Sequence, residues 1–126
     1  MARKQGSFQF ATHEALARRV YSIYKDRARR QGREFSLSHA CLTKLISQPC
    51  HYCKTPPGNA LRIERAYPGA VLFYSGIDRK DNIRGYDVTN CVPCCARCNF
   101  VKGANLSYGE MVEVGKILRR MKKGAP

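Results

Sequence analysis

The apolar positions change period along the chain, and each change marks an element. From residue 12 to 31, Leu16, Val20, Ile23 and Tyr24 recur three and four apart, the spacing of one helix face, with Thr12 placed to cap the start and Gly32 to stop the end. A second helix is expected from Ser38 as cap to about Ser47, burying Leu42, Leu45 and Ile46 and ended by Pro49. Residues 61–63 and 71–74 then read as strands joined by a Tyr-Pro-Gly turn, the second running on into Gly76, Ile77 and Asp78. Residues 80–89 are a polar loop, residues 90–93 a short returning strand, and residues 95–102 a short helix. A last helix opens at Ser107 and Glu110, which have the S-x-x-E form of a capping box, and carries Met111, Val114, Leu118 and Met121 on one face.

At 126 residues and 14.3 kDa the chain fits one small domain, with a basic arm at 1–10 and a body at 11–126. The body divides into a helical part at 12–48, a core at 49–103 and the closing helix at 107–123. Two independent cores are not expected at this size, and a metal staple would stabilise a body so rich in loops. The formal charge of +14 points to a polyanionic partner, and no lipid-facing apolar helix accompanies it, so nucleic acid is expected rather than a membrane. Residues 1–33 hold nine Lys or Arg against Glu14 and Asp26, a local net of +7. Within the first helix Arg18, Lys25 and Arg29 share a face and are the candidate phosphate contacts. No apolar signal segment follows the polar start, so the expected location is intracellular, in cytoplasm or nucleoid, and not secreted.

Seven cysteines at short spacings in such a protein favour metal ligation over disulfides. Cys50-x-x-Cys53 is one pair. Downstream, Cys91-x-x-Cys94 and Cys95-x-x-Cys98 overlap as rivals for the second, and two such pairs supply the four thiolates of a tetrahedral structural Zn²⁺. Cys41 and His39 stand near the start of the second helix, where a structural role is expected.

Residues 76–103 read GIDRKDNIRGYDVTNCVPCCARCNFVKG. With Cys50-x-x-Cys53 upstream, this stretch resembles the HNH nucleases of the His-Me finger (ββα-metal) class, in the viral and restriction-enzyme branch reading G-[IV]-D-R-x-D, G-Y, N and C-x-x-C-N-x-x-K. The resemblance covers residues 35–102 and reaches into the preceding helix. It implies an α+β fold, a small zinc-stabilised ββα-metal core with flanking helices, and a hydrolase that cuts or nicks duplex DNA. It assigns the zinc to Cys50, Cys53, Cys95 and Cys98, because the second ligand of the last pair directly precedes the metal-binding Asn. Cys91 and Cys94 then become buried thiols or part of a second site with His39 and Cys41. Asp78 and Asn99 correspond to the ligands of a catalytic divalent metal, Mg²⁺ or Mn²⁺, and Asn90 to the Asn that fixes the loop.

Mg²⁺ takes one or two protein oxygens and a phosphate, so Asp78 and Asn99 would suffice; Asp81, in the loop, has the lesser claim. Arg79 stands where most of the family carries a general-base His. Its guanidinium stays protonated and can hold a phosphate bidentately, but it cannot take a proton. Tyr86 resembles a tyrosine placed near the cleavage site in the Asp-Arg branch, and Lys102, three residues beyond Asn99, is expected to contact a phosphate. Two other classes fit the same residues: a zinc-knuckle DNA-binding module whose catalytic centre is inactive, and a viral packaging or recombination accessory. A homodimer or a viral partner protein is the expected protein contact.

Overall fold

The computed structural model describes residues 2–124, with side chains from residue 11 to residue 121. A long helix, α1 (Ala2–Arg30), opens the chain. It takes in most of the stretch expected as a separate arm, and Thr12 lies inside it instead of capping it; Met1 lies outside the described residues. The reason is that no residue there disfavours helix more than Gly6, at about 1 kcal/mol, while every added residue of an existing helix adds a hydrogen bond. Its end follows the sequence. Gly32 adopts φ of 66°, Gly32 N–H donates to Arg29 O and Arg33 N–H to Ala28 O, a Schellman closure that only a residue tolerant of positive φ makes easily.

The helix α2 (His39–Ile46) starts where Ser38 accepts from the Cys41 N–H, and buries Leu42 and Ile46. Strands β1 (Asn59–Leu61) and β2 (Leu72–Tyr74) pair antiparallel, two residues earlier in the first strand than the apolar run suggests. β2 does not run on into the next strand. Ser75 interrupts it, its N–H donating to Ile46 O at 2.7 Å and its hydroxyl to Gln48 O at 2.5 Å, which ties the break to the end of α2.

A second hairpin follows, β3 (Gly76–Arg79) with β4 (Cys91–Cys94), in the register Gly76 to Cys94 and Arg79 to Cys91. The short helix α3 (Ala96–Lys102) comes next, and α4 (Tyr108–Gly124) closes the chain behind the expected capping box: Ser107 accepts from the Glu110 N–H and Glu110 accepts from the Ser107 N–H. The fold is therefore α+β, with β3, β4 and α3 forming the strand, strand, helix unit.

The interior has two apolar clusters where one was expected. The first gathers Leu16, Val20, Leu42, Leu72, Ile77 and Tyr86 between α1, α2 and the hairpins; the second gathers Cys50, Tyr52, Cys98 and Met111 between the cysteine knuckle and α4. The β3–β4 hairpin separates them because alternate strand residues face opposite sides: Cys91 joins the first and Val92 the second. No described helix is long and apolar enough to cross a membrane.

Candidate active site and its cysteine knuckle

Four sulfurs converge where the hairpin meets α3. The Sγ atoms of Cys50, Cys53, Cys95 and Cys98 all lie within 4.8 Å of one another, and Cys53 to Cys95 is 3.7 Å. A Zn–S bond of about 2.3 Å in a tetrahedron requires sulfur pairs about 3.8 Å apart, so the cluster fits the ion with little adjustment. Without a cation the four sulfurs do not share one charge state: hydrogen bonds from Cys94 and Cys98 hold Cys50 far below the usual thiol range, while hydrogen bonding to Cys50 and burial push Cys98 up. Four adjacent thiolates would repel one another unless a cation joined them. The rival pair splits. Cys91 faces the first apolar cluster, where burial pushes its thiol up to about 11, and Cys94 lies outside the four-sulfur cluster, its Sγ 3.4 Å from Cys95 O. His39 and Cys41 are not part of the cluster.

The knuckle also supplies a residue that sequence reasoning missed. Tyr52, between the two upstream cysteines, donates its hydroxyl to Asp78 Oδ2 at 2.6 Å in a buried contact. Burial first, then this bond to a carboxylate, keeps the phenol protonated far above its ordinary range. The other oxygen, Oδ1, lies 3.4 Å from Lys102 Nζ. Asp78 is thus held on both sides, at the floor of a cleft.

Lys102 is where the sequence reading fails. It is 1% exposed, and its ammonium donates to Arg79 O at 3.0 Å and Asn82 Oδ1 at 3.4 Å besides pairing with Asp78. It cannot reach a phosphate from there; it fastens the loop to the carboxylate. A lysine three residues beyond Asn99 at a helix end looks like a surface contact until the loop after β3 folds over it.

That loop is pinned by Asn90. Its Oδ1 accepts from the Asp81 N–H, and its Nδ2 donates to Asp81 O and Gly85 O, so one buried amide replaces the missing strand pairing. Arg79 Nη1 donates to Asn82 O and Arg84 O, while its guanidinium carbon stands 5.5 Å from the Tyr86 ring centroid. Its Nε and Nη2 make no hydrogen bond among the described residues. The Tyr86 ring packs against Tyr24 and Phe35 in the first cluster, and its backbone bonds to Glu34 and Ser36.

The cleft itself, about 320 Å³, brings together Asp78, Arg79, Tyr86 and Asn99 with Arg27, Gln31, Arg33 and Asn82. The Asn99 amide makes no side-chain hydrogen bond among the described residues. With the Asp78 carboxylate it offers the hard oxygen donors that a divalent ion of the Mg²⁺ type takes. Asp81 is outside the cleft lining, its Oδ1 spent on the Ile83 N–H. Arg27 and Arg33 were missed because burial and cleft lining depend on how α1 crosses the hairpin. They also line a wider groove of about 830 Å³ with Arg19, Lys25, Arg29 and Arg30. Arg18 lines neither, and pairs at the surface with Glu14.

A two-stranded hairpin, a following helix and a four-cysteine knuckle make a small α+β fold of the kind found in an HNH endonuclease. The structure of the rare-cutting HNH restriction endonuclease PacI matches with a TM-score of 0.68 over 86% of this chain and 80% of that one, at 20% identity. In sequence, the uncharacterized protein R423 of Acanthamoeba polyphaga mimivirus is 33% identical over 82 residues, 65% of this chain. The match spans only 13% of that viral protein's length. No protein-family model matches the chain.

Proposed function

We propose that this chain is a divalent-metal-dependent DNA endonuclease, with Asp78 and Asn99 as the protein ligands of Mg²⁺ or Mn²⁺ and a structural zinc on Cys50, Cys53, Cys95 and Cys98. The observation that carries the reading is the cleft: a fixed carboxylate and an uncommitted amide face the same space as three arginines, beside a knuckle that rigidly mounts α3. When bound, the ion would activate water and stabilise charge on the phosphoryl oxygens. The chain's own residues do the rest. Tyr52 and Lys102 orient the carboxylate, Asn90 holds the loop, and Arg27, Arg33 and the open Nε and Nη2 edge of Arg79 receive the phosphate. Tyr86 lines the same cleft and is the group available for proton transfer on the protein side.

One observation favours a second reading, a DNA-binding module without catalysis: no His lines the cleft, and Arg79 Nη1 is occupied by loop carbonyls. Supercoiled plasmid incubated with Mg²⁺ or Mn²⁺ separates the two. The nuclease reading expects nicked or linear product, abolished by EDTA and by Asp78→Ala or Asn99→Ala, with DNA binding and zinc content retained. Binding without any product in either metal, from protein with full zinc content, would sustain the second reading. The domain arrangement, the duplex nature of the DNA and any partner protein are part of the same proposal.

A further inference from the structure

Among the described residues, the two most exposed large apolar side chains each directly follow a residue that lines the cleft: Ile83, after Asn82, is 91% exposed and Phe100, after Asn99, 88%. Scattered exposed apolar residues are ordinary, so exposure alone carries little. Their mounting carries more. Ile83 follows Asn82, and its N–H is held by Asp81 Oδ1 at 3.0 Å inside the turn that Asn90 pins. Phe100 follows Asn99 on α3, whose first turn is anchored by Cys95 and Cys98 of the knuckle. The Asn82 amide donates to Gly103 O at 3.2 Å, tying the turn to the end of α3. Both side chains are therefore carried on backbone held by these bonds and by the knuckle, each one residue from a residue of the cationic cleft.

We propose that Ile83 and Phe100 are wedges that insert between stacked bases of duplex DNA beside the bond to be cut. The inference rests on the nuclease reading for the position of the DNA. The occupant follows from charge: a chain of net +14 with Arg27 and Arg33 lining the adjoining cleft draws a polyanion, and a polyanion with apolar flat faces is a nucleic acid. An apolar wedge pries a base step open, kinks the duplex and lets it wrap more protein surface. Unstacking a step opposes insertion, and only a rigid mount can deliver it, which is what the pinned turn and the knuckle-anchored helix provide. Duplex opening would also let the scissile phosphate drop toward Asp78 and Asn99 on the floor of the cleft.

The test uses zinc-loaded wild-type protein and the variants Ile83→Ala, Phe100→Ala and their combination, whose exposed positions should leave the melting temperature unchanged. Duplex oligonucleotides spanning a cut site mapped on plasmid DNA carry 2-aminopurine at successive positions. The wild type should brighten the probe at one or two steps, and the double variant should lose that signal. Its cleavage of paired DNA should fall by about 10-fold or more, the effect of an unstacking cost left unmet, and recover on the same DNA with a mismatch at the opened step. Unchanged probe fluorescence on binding of wild type, or a double variant that cuts paired DNA at the wild-type rate, overturns the wedge. Loss of a dimer by the variants in sedimentation, with no change in the probe, would assign the side chains to self-association and also overturn it. If the wild type cuts no plasmid, the nuclease reading fails separately, and the fluorescence is read on random-sequence duplex containing 2-aminopurine.

Discussion

Replacing Lys102 with Met removes a buried ammonium while keeping nearly the same stem. The ion pair it leaves behind is 1% exposed on the lysine side and 6% on the aspartate side, so little water replaces the lost partner. Breaking a buried pair by removing one member costs about 3–5 kcal/mol. Asp78 keeps the Tyr52 hydroxyl at 2.6 Å and borders the cleft, which places the loss near the lower end, about 3 kcal/mol. For a chain of this length that corresponds to a drop in melting temperature on the order of 10 °C, read by circular dichroism with zinc in excess. The Asp78→Asn/Lys102→Met double variant should recover part of it, because no charge is then stranded; a coupling of about 1–3 kcal/mol is expected for residues in direct contact. The competing picture places Lys102 on a phosphate. On that picture Lys102→Met would melt within about 0.5 kcal/mol of wild type, the ordinary surface value, and would flatten the salt dependence of DNA binding by about 0.9 in slope. Finding that pair of results would refute the buried role.

Zinc removal by a strong chelator should abolish cooperative unfolding, and elemental analysis should give one zinc per folded chain; folded protein without zinc would exclude the knuckle assignment. Tyr52→Phe should keep the fold and zinc but weaken Mn²⁺ binding, measured calorimetrically, since Asp78 loses the donor that fixes its Oδ2. Gly115→Ala should destabilise the protein by about 1–3 kcal/mol or more in thermal melts, because a Cβ there would stand 2.5 Å from Tyr52 O and push α4 off the knuckle. Neutralising Arg27 and Arg33 should flatten the salt slope of DNA binding more than neutralising Arg18, which pairs with Glu14 away from both grooves.

What could be read from the chain was what lies close together in it. The knuckle, the Ser38 and Ser107 caps, the Gly32 stop and the strand, strand, helix order all depend on spacings of a few residues, where residue type and geometry are tied directly. Asp78, Asn90 and Asn99 could be singled out because the motif that places them is equally local; the structure brings Asp78 and Asn99 to one cleft and has Asn90 bonded to the loop beside it. Lys102, Tyr52, Arg27 and Arg33 were misread or missed for one shared reason. Each takes its position only when a distant segment crosses it: the loop after β3 over Lys102, the hairpin against the knuckle for Tyr52, and α1 with the turn that ends it along the cleft for Arg27 and Arg33. Helical periodicity said correctly that α1 is charged on its outer side, but not which arginines the crossing would turn toward Asp78.

The bond from Tyr52 to Asp78 has a bearing on when the proposed centre can assemble during synthesis. The knuckle that steadies Tyr52 needs Cys98, which is synthesised after Asp78, Asn90 and the whole of the hairpin. A nascent chain that has made Asp78 but not Cys98 therefore has no completed knuckle to fix the donor on that carboxylate, and it has not yet made Asn99. On the proposed assignments, completion of the ring of sulfurs would act as an interlock, because the carboxylate gains its fixed donor only after Cys98 has been made and zinc bound.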